Sequence, residues 1–211
     1  MTNIQFRHGF HLGNRSERLG AGSERLIEET KPSTILAMQN MKPEALLSWA
    51  RQNPDAHLIL RFHFNCPNRL ATAPEVMGWA NGQVEMIRDW IEFPEFRRMY
   101  DNGRLGVKIF NEPNMIGRLE GFGDDELGMR TYNTLFPLAV REIKKVYPNI
   151  KAIGFSLTPG NKDVFFKSDT ANRDYWFHGK EAAKENPTPL EISRAIETCL
   201  VKDAIAAMDW F

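Results

Sequence analysis

The chain has 211 residues, of which 42% are hydrophobic and 26% are charged, so it is long enough for one sizeable core and typical of a single globular domain. Lysine plus arginine equals aspartate plus glutamate at 27 each, so the overall charge points to neither nucleic acid nor an anionic membrane as a partner and favours a neutral ligand. No apolar run approaches the ~20 residues that a membrane span needs, so we expect no membrane partner.

Short apolar runs alternate with segments of helical period along the chain. Strands are predicted at residues 6–13, 33–39, 57–65, 105–114, 151–159 and 204–211. Helices are predicted at residues 16–30, 42–52, 75–100 with a break at Pro94, 124–147 and 190–202. Residues 160–189 form a loop that is long for this kind of connection, which is typical of a functional excursion. Strands that alternate with helices predict an α/β fold with a parallel sheet.

The third predicted strand, residues 57–65, has two different faces. One parity is apolar (Leu58, Leu60, Phe62, Phe64), and the other becomes polar toward the carboxyl end (Ile59, Arg61, His63, Asn65). A strand of a (β/α) barrel has this pattern, with one face on the helices and the other reaching the active-site mouth. The glycine-rich first turn of a nucleotide-binding open sheet is missing. We therefore predict one TIM-type barrel domain over residues 1–211. The alternative is that Arg61 and His63 are polar core residues.

The fourth predicted strand, residues 105–114, reads LGVKIFNEPN and ends in Asn111-Glu112-Pro113-Asn114. Catalytic groups of barrel enzymes lie at the carboxyl ends of the strands, which is the position of Glu112. Pro113 favours an extended conformation at Glu112 and cannot continue the hydrogen-bonded ladder. The alternative is a solvated glutamate on a turn.

Asn-Glu-Pro at the end of a fourth strand resembles the motif of the clan A retaining glycoside hydrolases. The resemblance implies a (β/α)₈ barrel of which this chain covers about strands 1 to 6. It also implies that Glu112 is the general acid/base and that Asn111 contacts the sugar 2-hydroxyl. A glycosidic oxygen leaves poorly unless it is protonated as the bond breaks, so one carboxyl group must carry a proton near neutral pH.

The resemblance implies further sugar contacts near strand ends and in the long loop. The substrate-binding candidates are His11, Arg61, His63, Asn65, Asn114, Trp176, Asp209 and Trp210. The ring of Trp176 suits stacking on a pyranose, although its Tyr-Trp-Phe context is also typical of packing beneath a loop. We expect no cofactor and no metal, because the odd spacing of His8 and His11 puts them on opposite faces of a strand.

Retaining hydrolysis needs a second carboxylate roughly 5 to 5.5 Å from the first. In clan A this nucleophile follows the seventh strand, so we expect it beyond Phe211 and expect the isolated chain to be weak or inactive. A barrel of about six strands also exposes parallel edges, which predicts self-association. The alternative function is a carbohydrate-binding or inactive barrel fragment without turnover.

The two cysteines, Cys66 and Cys199, are far apart and lack metal-binding or CxxC spacing. The first residues, MTNIQFRHGFHLGNR, contain no signal-peptide core. We therefore expect a reduced, cytoplasmic protein, provided that the amino terminus is the natural one. Cys66 has no neighbouring histidine in sequence to activate it, and we expect a buried thiol there.

Overall fold

The computed structural model describes residues 9–12, 20–110, 120–122, 126–154 and 202–209. Strands and helices alternate within these ranges. In chain order they are β1 (Gly9–His11), α1 (Ala21–Thr30), β2 (Thr34–Met38), a 3-10 turn (Pro43–Leu46) leading into α2 (Leu47–Gln52), β3 (His57–Arg61), α3 (Ala73–Ile91), α4 (Pro94–Asp101), β4 (Leu105–Lys108), α5 (Glu126–Val146), β5 (Lys151–Ile153) and α6 (Lys202–Ala206).

The five strands form one parallel sheet in the order β1, β2, β3, β4, β5, so each strand pairs with the next one along the chain. One row of the register runs through Met38, Arg61, Lys108 and Ile153. Crossovers between parallel strands are almost always right-handed, and a sequential order therefore places the connecting helices on one face of the sheet. The predicted α/β class with a parallel sheet is confirmed.

The two faces predicted for residues 57–65 are confirmed by burial. The apolar parity is at most 5% exposed (Leu58, Leu60, Phe62, Phe64), whereas the other parity is partly or fully exposed (Ile59, Arg61, His63, Asn65). β3 nevertheless ends at Arg61 and not at Asn65. Its neighbour β4 ends at Lys108. The Phe62 N–H still donates to the Lys108 carbonyl at 3.5 Å, whereas the N–H of His63 donates to the Gln39 side chain and not to a strand.

Side-chain caps and prolines set the boundaries of the helices that follow β3. The Glu75 carboxylate accepts hydrogen bonds from the Thr72 N–H at 3.0 Å and from the Thr72 hydroxyl at 2.7 Å, which fixes the start of α3. α3 ends at Ile91 and α4 begins at Pro94, so the predicted break is confirmed. α3 packs against both α4 and α5 over the buried face of the sheet.

The sixth predicted strand, residues 204–211, is wrong over the part that the structure describes. Residues 202–206 form the helix α6, which packs on α5. The Asn133 side chain on α5 accepts hydrogen bonds from the Asp203 and Ala204 amides, at 2.8 and 3.0 Å, and so caps the first turn of α6. An alanine-rich segment with a capped first turn favours helix over strand.

Residues 207–209 follow α6 and lie beside β5. The Asp209 N–H donates to the Ala152 carbonyl at 2.8 Å, and the Asp209 carboxylate accepts the Ala152 N–H at 2.7 Å. The backbone and the side chain of Asp209 thus bond to the C=O and N–H of Ala152 in β5, although Asp209 is not part of a strand. Met208 contacts Gly154 just past the end of β5. This part of the β5 edge is covered.

Other predicted elements lie outside the described residues: the loop at 160–189 and, apart from Lys202, the helix at 190–202. Among the helices that the structure describes, none is long and apolar enough to span a membrane.

Candidate active site

We call the segments that follow the carboxyl ends of β3 and β4 the carboxyl end of the sheet; their described parts are residues 62–72, 109–110 and 120–122. β4 is the fourth strand in both chain order and sheet order, as predicted, but it ends at Lys108 and not at residue 114. The Asn-Glu-Pro motif therefore begins three residues after the strand. Several site candidates lie outside the described residues: Asn111, Glu112, Asn114, Trp176, Trp210 and the side chain of His11.

Phe110, directly before the motif, breaks the strand alternation. Its φ angle is 54°, in the left-handed region that a bulky residue seldom adopts. Its ring is fully buried, stacked on Trp79 at a centroid distance of 5.2 Å and set edge-on to Phe122 at 4.8 Å. Residues held in this region cluster at functional sites, where packing offsets the strain. Packing of Phe110 into the helix layer therefore fixes the backbone of the residue directly before the motif.

Two hydrogen bonds with other residues hold the backbone of His63 in place. Its N–H donates to the Gln39 side-chain oxygen at 2.8 Å, and its carbonyl accepts the Trp79 indole N–H at 3.0 Å. These bonds replace the ladder bonds that β3 no longer makes. The His63 side chain remains 47% exposed, so a fixed backbone presents an accessible imidazole at the carboxyl end of β3.

Glu120 is a site residue that the sequence did not predict. Its side chain is only 3% exposed, and its Oε1 lies 3.7 Å from Nδ1 of His63. A glutamate in a polar loop normally hydrogen-bonds to water. A buried carboxylate must instead find hydrogen-bonding or charged partners within the protein. The one sequence signal is the neighbouring Gly121, because a glycine beside a carboxylate marks a tight backbone approach.

The segment containing Glu120 is docked tightly on the segment after β3. Cys66 and Glu120 form a parallel bridge, and the Ala71 N–H donates to the Gly121 carbonyl at 2.7 Å. Gly121 has a φ angle of 76°, and a Cβ there would lie 2.9 Å from the Cβ of Cys66. Cys66 is 3% exposed, and burial raises the pKa of its thiol, so the prediction of a buried thiol is confirmed.

Arg61 and Lys108 add positive charge near this end of the sheet. They are neighbours in the register of β3 and β4, and residues in register point to the same face. Arg61 is partly exposed and Lys108 is 8% exposed. Asn65 is exposed two residues beyond His63. The predicted contacts Arg61, His63 and Asn65 are thus brought to the end of one strand.

Asp209 is held beside β5 by an ion pair and by a hydrogen bond. Lys144 Nζ lies 2.6 Å from its carboxylate, which also accepts the Ala152 amide. Burial opposes the charged form, but the hydrogen bonds from Lys144 and Ala152 outweigh it and lower the pKa of Asp209. These contacts anchor residues 207–209, and the role of Asp209 as a sugar contact stays a prediction.

A concave surface lies between α1 and the segment that contains α2. Its volume is 190 Å³, and its lining includes Glu24, Glu28, Glu44 and Trp49. It shares no residue with the carboxyl end of the sheet. In the described part of the chain, no three histidine, cysteine, aspartate or glutamate side chains are grouped so that they could hold a metal ion.

Comparison with known proteins does not assign a function. No protein-family model matches the sequence, and a search of curated proteins finds no significant match. Function is therefore inferred from the residues and geometry of the site.

Proposed function

We propose that this chain is a glycoside hydrolase-like domain of the barrel type, in which Glu112 is the general acid/base of a retaining mechanism. The observation that carries the proposal is the position of the Asn-Glu-Pro motif. It follows the fourth of five parallel strands that are arranged in chain order. That is where a barrel enzyme places catalytic groups, and where the clan A motif occurs.

The sequential strand order supports a barrel over an open sheet. Open nucleotide-binding sheets reverse their strand order at a switch point, and the five described strands have no such reversal. The helices then cover one face, and the other face would be the barrel interior. That face carries Ile59, Arg61 and Lys108, of which Lys108 is buried.

The proposed chemistry assigns different work to two neighbouring residues. Glu112 protonates the glycosidic oxygen as that oxygen leaves and a second carboxylate bonds to the anomeric carbon. Glu112 then removes a proton from the water that displaces this carboxylate and releases the sugar. Asn111 donates its amide N–H to the sugar 2-hydroxyl and so orients the ring. The fixed backbone at Phe110, directly before Asn111, supports this assignment because catalytic groups need a rigid origin.

His63 and Asn65 supply polar contacts suited to a sugar. Both side chains are exposed at the carboxyl end of β3, and imidazole and amide groups can each accept or donate hydrogen bonds to hydroxyls. The equal numbers of acidic and basic residues agree with a neutral oligosaccharide as substrate.

The second candidate is a carbohydrate-binding barrel without turnover. Glu120 favours it, because this carboxylate at the carboxyl end is buried against His63 and is not exposed for attack on an anomeric carbon. Retaining hydrolysis needs a second carboxylate besides Glu112, at roughly 5 to 5.5 Å.

The test measures turnover and binding together. Wild-type protein, Glu112→Gln and Asn111→Ala are assayed on aryl glucosides, galactosides, xylosides and mannosides, and their binding of neutral oligosaccharides is measured by calorimetry. Glu92→Gln is the matched control, because it neutralises an exposed glutamate at the end of α3.

Loss of an acid/base is expected to lower kcat roughly 100- to 10,000-fold, with Glu92→Gln unchanged. That result supports the hydrolase. Oligosaccharide binding with no turnover in any variant supports a carbohydrate-binding domain that does not supply its own nucleophile. Absence of both turnover and binding in the folded wild-type protein contradicts both.

A further inference from the structure

We propose that Glu120 is a positioning residue for His63: its carboxylate accepts a hydrogen bond from the protonated Nδ1 and leaves Nε2 of the imidazole as an acceptor for a ligand hydroxyl. The part that concerns the ligand rests on the proposed carbohydrate function. Glu120 lies eight residues after Glu112 in the same connection between β4 and α5, and nothing in the clan A resemblance assigns it a role.

The carboxylate is held in place by the backbone around it. Glu120 forms a parallel bridge with Cys66, the Gly121 carbonyl accepts the Ala71 N–H, and the Phe122 ring is fully buried. With its side chain only 3% exposed, Glu120 has little freedom to turn toward water. Its carboxyl group is therefore held in a fixed position beside His63.

The backbone that carries the imidazole is also fixed, by residues other than Glu120. Gln39 and Trp79 fix the backbone of His63, and the ring then lies between Glu120 and solvent. Nδ1 is 3.7 Å from Oε1 of Glu120. This distance is longer than a hydrogen bond, so the proposed Nδ1–H···O bond requires the two groups to approach by about half an ångström. One ring nitrogen is thus directed to the protein, and the exposed part of the ring is left to the ligand.

The chemical consequence follows from the tautomers of histidine. In a neutral imidazole one nitrogen carries the proton and the other accepts, and the partner of the inner nitrogen decides which is which. A carboxylate accepts only, so it selects the tautomer with the proton on Nδ1. Nε2 then accepts a hydrogen bond from a sugar hydroxyl, and the exposed Asn65 amide follows two residues later in the chain.

The test reads the tautomer directly. Long-range proton–nitrogen correlation spectra are recorded on ¹⁵N-labelled protein at alkaline pH, and the His63 signals are identified by their loss in His63→Gln. We expect Nδ1 to be protonated in the wild-type protein. Glu120→Gln replaces the carboxylate by a group that both donates and accepts, and it should move the signals toward the Nε2-protonated form.

Glu142→Gln is the matched control. Glu142 is also a buried carboxylate, 7% exposed, but it pairs with Lys145 on α5. It should leave the His63 signals unchanged. A wild-type His63 protonated on Nε2, or His63 signals that Glu120→Gln does not move, would overturn the proposal. The wild-type spectrum alone decides the point if Glu120→Gln does not fold.

Binding of an oligosaccharide separates this inference from the proposed function. If the wild-type protein binds a sugar, Glu120→Gln should raise its Kd roughly tenfold, the worth of one hydrogen bond, while Glu142→Gln does not. An Nδ1-protonated His63 in a protein that binds no sugar contradicts the proposed function and leaves the positioning by Glu120 standing. Sugar binding with an Nε2-protonated His63 contradicts the positioning by Glu120 and leaves the proposed function standing.

Discussion

At the amino end of the sheet, helices return to strands through turns of three or four residues, at 31–33, 53–56, 102–104 and 147–150. At the carboxyl ends of the strands, the connection after β2 at 39–42 is equally short, but those after β3 and β4, at 62–72 and 109–125, are much longer. The short turns are closed by simple contacts, such as the hydrogen bond from Arg104 to the Pro54 carbonyl at 3.1 Å. The longer connections contain a buried carboxylate, a left-handed phenylalanine and a bridge between two segments.

The difference between the two ends of the sheet points to different roles, stability at the amino end and function at the carboxyl end. Turns at the amino end need only to reverse the chain, and in barrel proteins that end contributes stability. Left-handed backbone at Phe110 and burial of Glu120 both cost free energy, and neither is needed to connect a strand with a helix. Such features persist where packing compensates them, which is why we place the site at the carboxyl end.

The largest expected effect is at Phe110. Phe110→Ala should lower the free energy of unfolding by about 3 to 5 kcal/mol, because it removes a fully buried ring. Phe110→Gly removes the same ring but accepts the φ angle of 54° without strain, so it should be about 1 kcal/mol more stable than the alanine variant. Urea unfolding measures both. An alanine variant that equals or exceeds the glycine variant would show that the backbone is not held left-handed.

The next effect compares one glycine at each end of the sheet. Gly121→Ala should cost about 2 to 4 kcal/mol, because a Cβ would meet the Cβ atoms of Ala71 and Cys66 at 2.8 and 2.9 Å. Gly103→Ala also has a positive φ, but its nearest contact is the flexible end of Lys151 at 3.1 Å, so about 1 kcal/mol is expected. Equal losses in urea unfolding would contradict the tight docking of the two segments.

The smallest effect is electrostatic and depends on pH. Hydrogen bonds from Arg69 and Thr72 lower the pKa of Glu75 from 4.5 to about 2. A carboxylate with a lowered pKa stabilises the fold above its ordinary pKa, and that contribution is lost as pH falls from 4.5 toward 2. Glu75→Gln should therefore be less stable than wild type near neutral pH, and the difference should shrink in acid.

Asp55→Asn at the amino end is the comparison for Glu75. A hydrogen bond from Arg104 lowers the pKa of Asp55, but its side chain is 87% exposed, so solvent screens the pair and its effect should be smaller. Urea unfolding at neutral pH and at about pH 3 measures both variants. A Glu75→Gln difference that grows in acid would mean that the carboxylate is not stabilised by its partners.

Local patterns were enough to predict most of the sheet. Alternation in residues 57–65 predicted which side chains of β3 are buried, and Pro94 predicted the break between α3 and α4. The position of the motif after the fourth strand followed from counting these elements. Each of these predictions depends on residues close together in sequence, where periodicity and proline geometry are decisive.

The errors come from contacts between distant residues. Residues 204–206 form a helix because Asn133, about 70 residues earlier, caps the first turn, and no local pattern records that bond. Glu120 is buried because Cys66 and Ala71 hold its segment against the end of β3. A charged residue in a polar loop is otherwise expected in water.

The measurement that tests the central claim most directly is a map of amide chemical shifts as neutral oligosaccharides are added to ¹⁵N-labelled protein. The account predicts shifts at the carboxyl end, at the amides of His63, Asn65 and Gly121, and none at the amino-end amides of Asn53 and Gly103. Shifts confined to the amino end, or to the groove lined by Glu24 and Glu44, would contradict it.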